Sequence, residues 1–233
     1  LNIDLSEKKT KLESLRDDLV ILFDETKQIH PEYSGYAGEK VKQADVVLLQ
    51  YPLQAPMSFE VKNNDLEYYE SRTDQQGPAM TWAIFTINSL RLENYQRAHR
   101  YFNASFQDNM HPPFMVWSES PQSGADNFIT GAGGFLQTLL YGYSGISVTE
   151  TYLQLTPICP LGATYFKVRA LQYLRVKFDL SVWCDKEREI PLKIIMNLVN
   201  KEQGSFSDNS NYERLEARYE FENRLVAREL TLE

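Results

Sequence analysis

The sequence predicts a mainly helical chain that turns to β in its last third. Apolar residues recur at helical spacing through most of the first 144 positions. From Gly145 onward they alternate with polar ones in short runs rich in β-branched and aromatic residues. Tyr-rich helical segments joined by long polar loops favour helix-on-helix layering over a parallel sheet. The expected organisation is a helical unit at residues 1–144, a small antiparallel β unit at 145–202 and a charged tail at 203–233.

The elements follow in order. Residues 5–19 set Leu5, Leu12, Leu15 and Leu19 near helical spacing among Lys and Glu. Residues 38–51 place Val41, Ala44, Val47, Leu48 and Tyr51 on one stripe that Pro52 closes, so a helix is expected there. Asn63 or Asn64 can cap a helix running to Thr73, with Glu67 three positions after Asn64 as in a capping box. Residues 79–92 are apolar almost all round, the pattern of a helix buried on most sides. Asn94 can cap the next helix, whose Tyr95, Ala98, Phe102 and Phe106 form an inward stripe, and residues 128–141 make a further one. Strands are expected at 146–149, 152–155, 165–170, 174–183 and 192–196, separated by turns at Pro157, 160–162 and 185–187. One helix is expected in the tail, around 212–225.

Of the 233 residues, 42% are hydrophobic and 12% aromatic, enough for a sizeable core. The net charge of −8 argues against nucleic acid as a partner, because phosphate binding needs clustered Lys and Arg. No apolar run reaches the roughly 18 residues that cross a bilayer, so no membrane partner is expected. Cys159 and Cys184 lack metal-ligand spacing; they could pair across a sandwich, but two free buried thiols are expected. His30, His99 and His111 are scattered, so neither a metal site nor a cofactor is expected. The chain opens at Leu1 without a signal-peptide pattern and reads as a piece of a longer protein. Nothing in it specifies a compartment.

Two segments could carry chemistry. In Pro113-Phe-Met-Val-Trp-Ser-Glu119 an apolar run delivers the carboxylate of Glu119 beside the ring of Trp117. Rings stack on sugars and carboxylates move protons, so the pair suits carbohydrate chemistry. In the second segment, Lys42, Gln43 and Asp45 open an otherwise apolar stretch. Either all three are a solvated helix start, or Lys42 and Gln43 face a cavity and donate hydrogen bonds to hydroxyls. Glu70 is similarly open: it faces water, or holds a sugar hydroxyl pair with Tyr68 or Tyr69 as a wall. Gly131-Ala-Gly-Gly134 lacks the spacing and βαβ context of a dinucleotide site, and close helix packing explains it better.

Taken together, Lys42-Gln-Ala-Asp-Val-Val-Leu-Leu, Tyr68-Tyr-Glu70, Gly77-Pro-Ala-Met-Thr-Trp82, Pro113-Phe-Met-Val-Trp-Ser-Glu119 and Asn127-Phe-Ile-Thr-Gly-Ala-Gly-Gly-Phe-Leu-Gln137 resemble glycoside hydrolase family 65, most closely its acid-trehalase-like branch. The resemblance covers about residues 30–165. It implies the C-terminal part of an (α/α)6 barrel followed by a small antiparallel β-sandwich, with 1–144 as the second half of the barrel. It also implies inverting hydrolysis that releases glucose from Glc-α-1,2-Gal-hydroxylysine units, with that glycan or disaccharide as the partner. Acid α,α-trehalase chemistry and a truncated carbohydrate-binding fragment without catalysis are the alternatives. By motif position Glu119 would be the general base, Lys42, Gln43 and Glu70 would hold the glucose, and Trp117 would serve substrate binding. The family's general acid lies upstream of the Lys42-Gln43 motif, so this piece alone is expected to be inactive. Phosphorylase members carry a His-Asp-Ser-Ser stretch where this chain reads Thr73-Asp-Gln-Gln-Gly-Pro78; the missing serines and the repelling Asp74 favour water over phosphate. Half a barrel is also expected to leave the helix at 79–92 without partners and an apolar face exposed.

Overall fold

A computed structural model describes residues 6–201 apart from 44, 150–151, 174–175 and 188–189. The tail helix expected at 212–225, like Leu5, lies outside the described residues. The chain forms five α-helices, α1 (Ser6–Asp18), α2 (Phe59–Glu70), α3 (Met80–Arg91), α4 (Tyr95–Ala104) and α5 (Ile129–Gln137), and seven short-to-medium strands among those residues.

α3 is the centre of the helical part. Its residues are buried nearly all round, as its composition predicts, with Phe85 and Ile87 fully enclosed and Trp82 stacked flat on Tyr101 of α4 at 5.2 Å. α4 begins under the side chain of Asn94, which accepts from the Arg97 amide at 3.1 Å. α5 reaches α3 closely because glycines face it. A Cβ on Gly134 would lie 3.0 Å from that of Ala83, and one on Gly131 would lie 2.7 Å from that of Ala79. The expectation that α3 lacks partners is therefore corrected: α2, α4 and α5 supply them. α4, next in sequence, and α5, much farther along the chain, do most of the enclosing.

Three local expectations shift. α1 forms, but none of its residues is buried, and Leu12 is 64% exposed. Ion pairs one turn apart, such as Glu7 with Lys11 at 2.9 Å, support it instead. α2 starts earlier than Asn63, because Ser58 accepts from the Val61 amide at 3.1 Å and caps it there. The stripe at 38–51 does not make a helix beyond a single 3₁₀ turn, Val46–Leu49. Val41 is extended and bonded to the chain after α2: its amide donates to Arg72 O at 2.9 Å, and its carbonyl accepts from Asp74 at 2.9 Å. Once these backbone groups are taken by a neighbouring segment, they cannot enter a helical ladder, and packing overrides propensity.

The β part comprises β1 (Met110–His111) with β2 (Val116–Trp117), β3 (Ile146–Val148) with β4 (Leu153–Leu155), and β5 (Tyr165–Tyr173), β6 (Val176–Cys184) and β7 (Pro191–Lys201) in that order, all antiparallel. β5–β6 register breaks between Val168 and Leu171, where Ala170 has φ +56°. Phe178, Leu180 and Val182 of β6 share a core with Ile146, Leu153 and Leu155. A six-residue π turn, Thr138–Tyr143, leads from α5 into β3, and Leu140 and Tyr141 pack against that core. The two cysteines are not free: Cys159 and Cys184 are disulfide-bonded, with Cα atoms 5.7 Å apart. Spacing could not reveal this, because it is the end of β6, 25 residues on, that carries Cys184 to the segment after β4. No described helix is long and apolar enough to cross a membrane.

Candidate active site

The β1–β2 hairpin and the loop after it fix Glu119. Met110 pairs with Trp117 and Ser118 bridges to Asp126, so residues 118–126 form a closed loop. Within it Glu119 N donates to Ala125 O at 2.9 Å, and Ala125 N donates to Glu119 Oε2 at 3.4 Å. Gly124, at φ +94°, sits against the Glu119 side chain; a Cβ there would lie 2.7 Å from that of Glu119. The carbonyl of Glu119 accepts from the Ala79 amide at 2.8 Å, tying the loop to the start of α3.

Lys42 meets this carboxylate from 77 residues away. Its Nζ lies 3.4 Å from Glu119 Oε1. The lysine side chain is 69% exposed and that of Glu119 28%, so the pair sits at the edge of solvent. The residues that follow α2 run alongside. A Cβ on Gly77 would fall 2.5 Å from Lys42 O, so only glycine lets the 74–77 turn approach there. Segments around 41–43, 73–79 and 117–119, separate in sequence, therefore converge on Lys42 and Glu119.

The remaining predicted residues are placed as follows. Gln43 donates from Nε2 to Asp45 Oδ1 at 3.2 Å, in the bend beside Lys42. Glu70, at the end of α2, is held by α4: Arg97 Nε lies 3.5 Å from Oε2, and Arg100 donates to Oε1. Trp117 is half-buried, its ring 5.9 Å from that of Phe135 and close against Gly131 of α5. The structure thus joins Lys42 and Glu119 directly, keeps Gln43 beside Lys42, and gives Glu70 and Trp117 partners of their own.

Glu32 links the bend at 42–45 to a buried polar layer between the chain around His30 and α2. Asp65, fully buried on α2, accepts from His30 N and lies against His30 Nδ1, both at 2.8 Å. Tyr69 donates to His30 O at 2.8 Å, and burial pushes its phenol well above the usual range. Glu32 accepts from Asp45 N at 3.3 Å through Oε1, while Oε2 is buried without a partner; burial pushes its carboxyl up. Arg72 lies 3.6 Å over the Tyr68 ring and donates to Gly38 O, fixing the approach to Lys42. Among the described residues no group of three or more His, Cys, Asp or Glu could hold a metal ion.

Residues 6–112 match the profile of the glycosyl hydrolase family 65 central catalytic domain. The chain is 47% identical over 168 residues to a protein-glucosylgalactosylhydroxylysine glucosidase of Dictyostelium discoideum, covering 72% of this chain and 24% of that protein.

Over these residues the chain is similar to glycosyl hydrolase family 65.

It is also 44% identical over 119 residues to a kojibiose hydrolase of Mucilaginibacter mallensis, covering 51% of this chain and 18% of that protein. A solved structure assigned as a kojibiose phosphorylase from the human microbiome shares its mixed helical and antiparallel fold at a TM-score of 0.61. The two are 15% identical, over 82% of this chain and 28% of that one. The chain spans about a quarter of the length of the glucosidase relative it matches. Lys42, the 73–79 turn and the start of α3 fall within the matched residues, and Glu119 lies just beyond them.

Proposed function

We propose that this chain is the C-terminal part of an inverting glycosidase that releases glucose from Glc-α-1,2-Gal-hydroxylysine units. In this reading residues 1–144 supply the second half of an (α/α)6 barrel, 145–202 a small β-sandwich and 203–233 a charged tail. The observation that carries the proposal is the meeting of Lys42 Nζ and Glu119 Oε1 at 3.4 Å, with the 73–79 stretch beside them. A water-activating base needs a carboxylate at the edge of a pocket, next to groups that orient the sugar. Glu119 is that base, Lys42 and Gln43 donate to the glucose hydroxyls, Trp117 stiffens the wall, and Glu70 is ordered by Arg97 and Arg100 to accept from a hydroxyl. Inversion requires the acid, which comes from outside this chain, to stand about 6.5–9.5 Å from the base with water between them. Asp74, in the turn where phosphorylases grip phosphate, favours water as the nucleophile.

The test is Glu119→Gln in the full-length protein, assayed on the Glc-α-1,2-Gal unit beside Glu70→Gln. The base role predicts a loss of roughly 10²–10⁴-fold in turnover for Glu119→Gln, with first-formed glucose of inverted configuration in the wild type. Near-native turnover of Glu119→Gln removes the role from Glu119, and collapse in Glu70→Gln alone transfers it to Glu70. Faster turnover of trehalose than of the collagen-type unit would replace the substrate and keep the mechanism.

A further inference from the structure

Asn103-Ala-Ser105 is the single Asn-X-Ser/Thr sequence among the 233 residues, and its middle residue is not proline. It falls on the last turn of α4 and the residue that ends it. Gln96, Arg100 and Asn103 are exposed at helical spacing and form the outer stripe of this helix. Ala98 and Tyr101 are buried instead, and Tyr101 stacks on Trp82 of α3. Among the described residues the Asn103 side-chain amide makes no hydrogen bond; its backbone carbonyl accepts from the Gln107 amide at 3.0 Å. The amide is therefore in water, on a face that the packing of α4 does not use. Such a sequence is an acceptor for N-linked sugar only in a chain that enters the secretory pathway. The disulfide speaks to that compartment independently. Both cysteines of the chain are bonded to each other, Cys159 to Cys184. Bonds of this kind form and persist in oxidising compartments and are rare in the reducing cytosol.

We propose that Asn103 is a modification site that carries an N-linked oligosaccharide. The donor is an oligosaccharide joined to a lipid diphosphate. Nδ2 of Asn103 bonds to the anomeric carbon of its first sugar, and the bond from that carbon to the diphosphate oxygen breaks. The lipid diphosphate leaves with the bonding pair, the amide gives up one proton, and nothing is oxidised or reduced. The fold sets the order of events. Recognition of the sequence needs the hydroxyl of Ser105, and the folded chain buries Ser105 fully, with Oγ donating to Phe102 O at 2.6 Å. Transfer therefore precedes the packing of α4 on α3. Afterwards the exposed stripe keeps the bulky, hydrophilic glycan in water. A glycan there marks the outer face of α4 as solvent-facing in the full-length protein, one turn from the Arg100 that holds Glu70. The modification does not depend on the reaction proposed above.

Full-length protein isolated from its own cells is digested, and the peptide that contains Asn103 is followed by mass spectrometry. Peptide-N-glycosidase in heavy-oxygen water removes an N-linked glycan and leaves a labelled aspartate in place of the asparagine. The expected result is that label at position 103. Recovery of the peptide only with unmodified asparagine overturns the proposal. In full-length protein secreted from insect cells, Asn103→Gln should abolish the glycosidase-sensitive shift in gel mobility, while Ser105→Thr, which keeps the acceptor sequence, should retain it. A shift that survives in Asn103→Gln would place the glycan elsewhere and equally overturn the assignment. Because Asn103 is exposed and its amide unbonded, Asn103→Gln should unfold at the temperature of the unglycosylated wild type. The isotope measurement needs no variant, so it decides the matter even where Asn103→Gln fails to accumulate.

Discussion

Asp65 is fully buried and lies 2.8 Å from both the backbone amide and Nδ1 of His30, which pins the loop before Lys42 to the inner face of α2 across 35 residues of sequence. Removing the carboxylate in Asp65→Ala leaves a buried N–H and an imidazole without a partner. The expected loss is about 3–5 kcal/mol, the range for breaking a buried pair from one side. Denaturant midpoints check this; a loss below about 1 kcal/mol would mean that the site relaxes or admits water.

The same carboxyl sets a pH dependence. Burial raises its affinity for a proton above the ordinary value of 3.8, and the two contacts with His30 lower it less than burial raises it. A raised carboxyl contributes stability that is fully present below 3.8 and is lost as pH rises through its folded value. Asp65→Asn carries no such titration. Relative to that variant, the wild type should lose stability as pH climbs from 3.8 through the raised value. Parallel curves for the two proteins would contradict the assignment.

The Cys159–Cys184 bond closes a 25-residue span and joins the segment after β4 to the end of β6. One residue earlier, Ile158 donates from its amide to Tyr143 O at 2.8 Å and packs against the helical part. The bond therefore clips the sheet to the helices through a two-residue hinge. Loop-closure entropy for such a span is worth about 3 kcal/mol. Cys159→Ser with Cys184→Ser should lower the denaturation free energy by about that amount, and a reductant should lower the wild type alone. Insensitivity of the wild type to reductant would exclude a stabilising role for the bond.

What the residues announced, and what they concealed, divides by range of interaction. The helix at 79–92 and its Asn94 neighbour were legible because periodicity and capping act over a few residues. The strands after 145 were legible for the same reason. The stripe at 38–51 misled because Val41 bonds to Arg72 and Asp74, a long-range pairing that leaves no mark in the local pattern. The disulfide was hidden likewise behind the register of β6. In the candidate site, Lys42 and Glu119 were named from motifs, but the buried His30–Asp65 layer was not. A histidine and an aspartate 35 residues apart look like any solvated pair until α2 turns Asp65 inward.

Gly145 takes the chain from the π turn into β3 at φ +62°, and a Cβ there would lie 2.0 Å from the backbone oxygen of Thr156. Both the left-handed conformation and the contact exclude a side chain, and the blocking atom is backbone, which cannot swing aside. Gly145→Ala should destabilise by more than about 3 kcal/mol, above the ordinary range for overpacking. Gly162, with φ +73° and open space around it, provides the control, since alanine there meets only the conformational penalty of about 1–2 kcal/mol. Equal losses at the two positions would show that the Thr156 contact is immaterial.

Lys42 offers a test that separates stability from binding. Its side chain is 69% exposed, so Lys42→Met should change stability by no more than about 0.5 kcal/mol, as surface substitutions do. If the ammonium donates to a glucose hydroxyl, the variant loses a charged hydrogen bond of about 1.5–3 kcal/mol, equivalent to roughly 10–150-fold in kcat/KM. A rise in KM with kcat unchanged marks a bond made equally in the bound and transition states, whereas a fall in kcat marks one formed only as the glycosidic bond breaks. Lys42→Arg keeps the charge but not the compact ammonium geometry and should recover part of the loss. An unchanged kcat/KM in Lys42→Met, with the fold intact, would leave the 3.4 Å contact with Glu119 as a surface ion pair and no more.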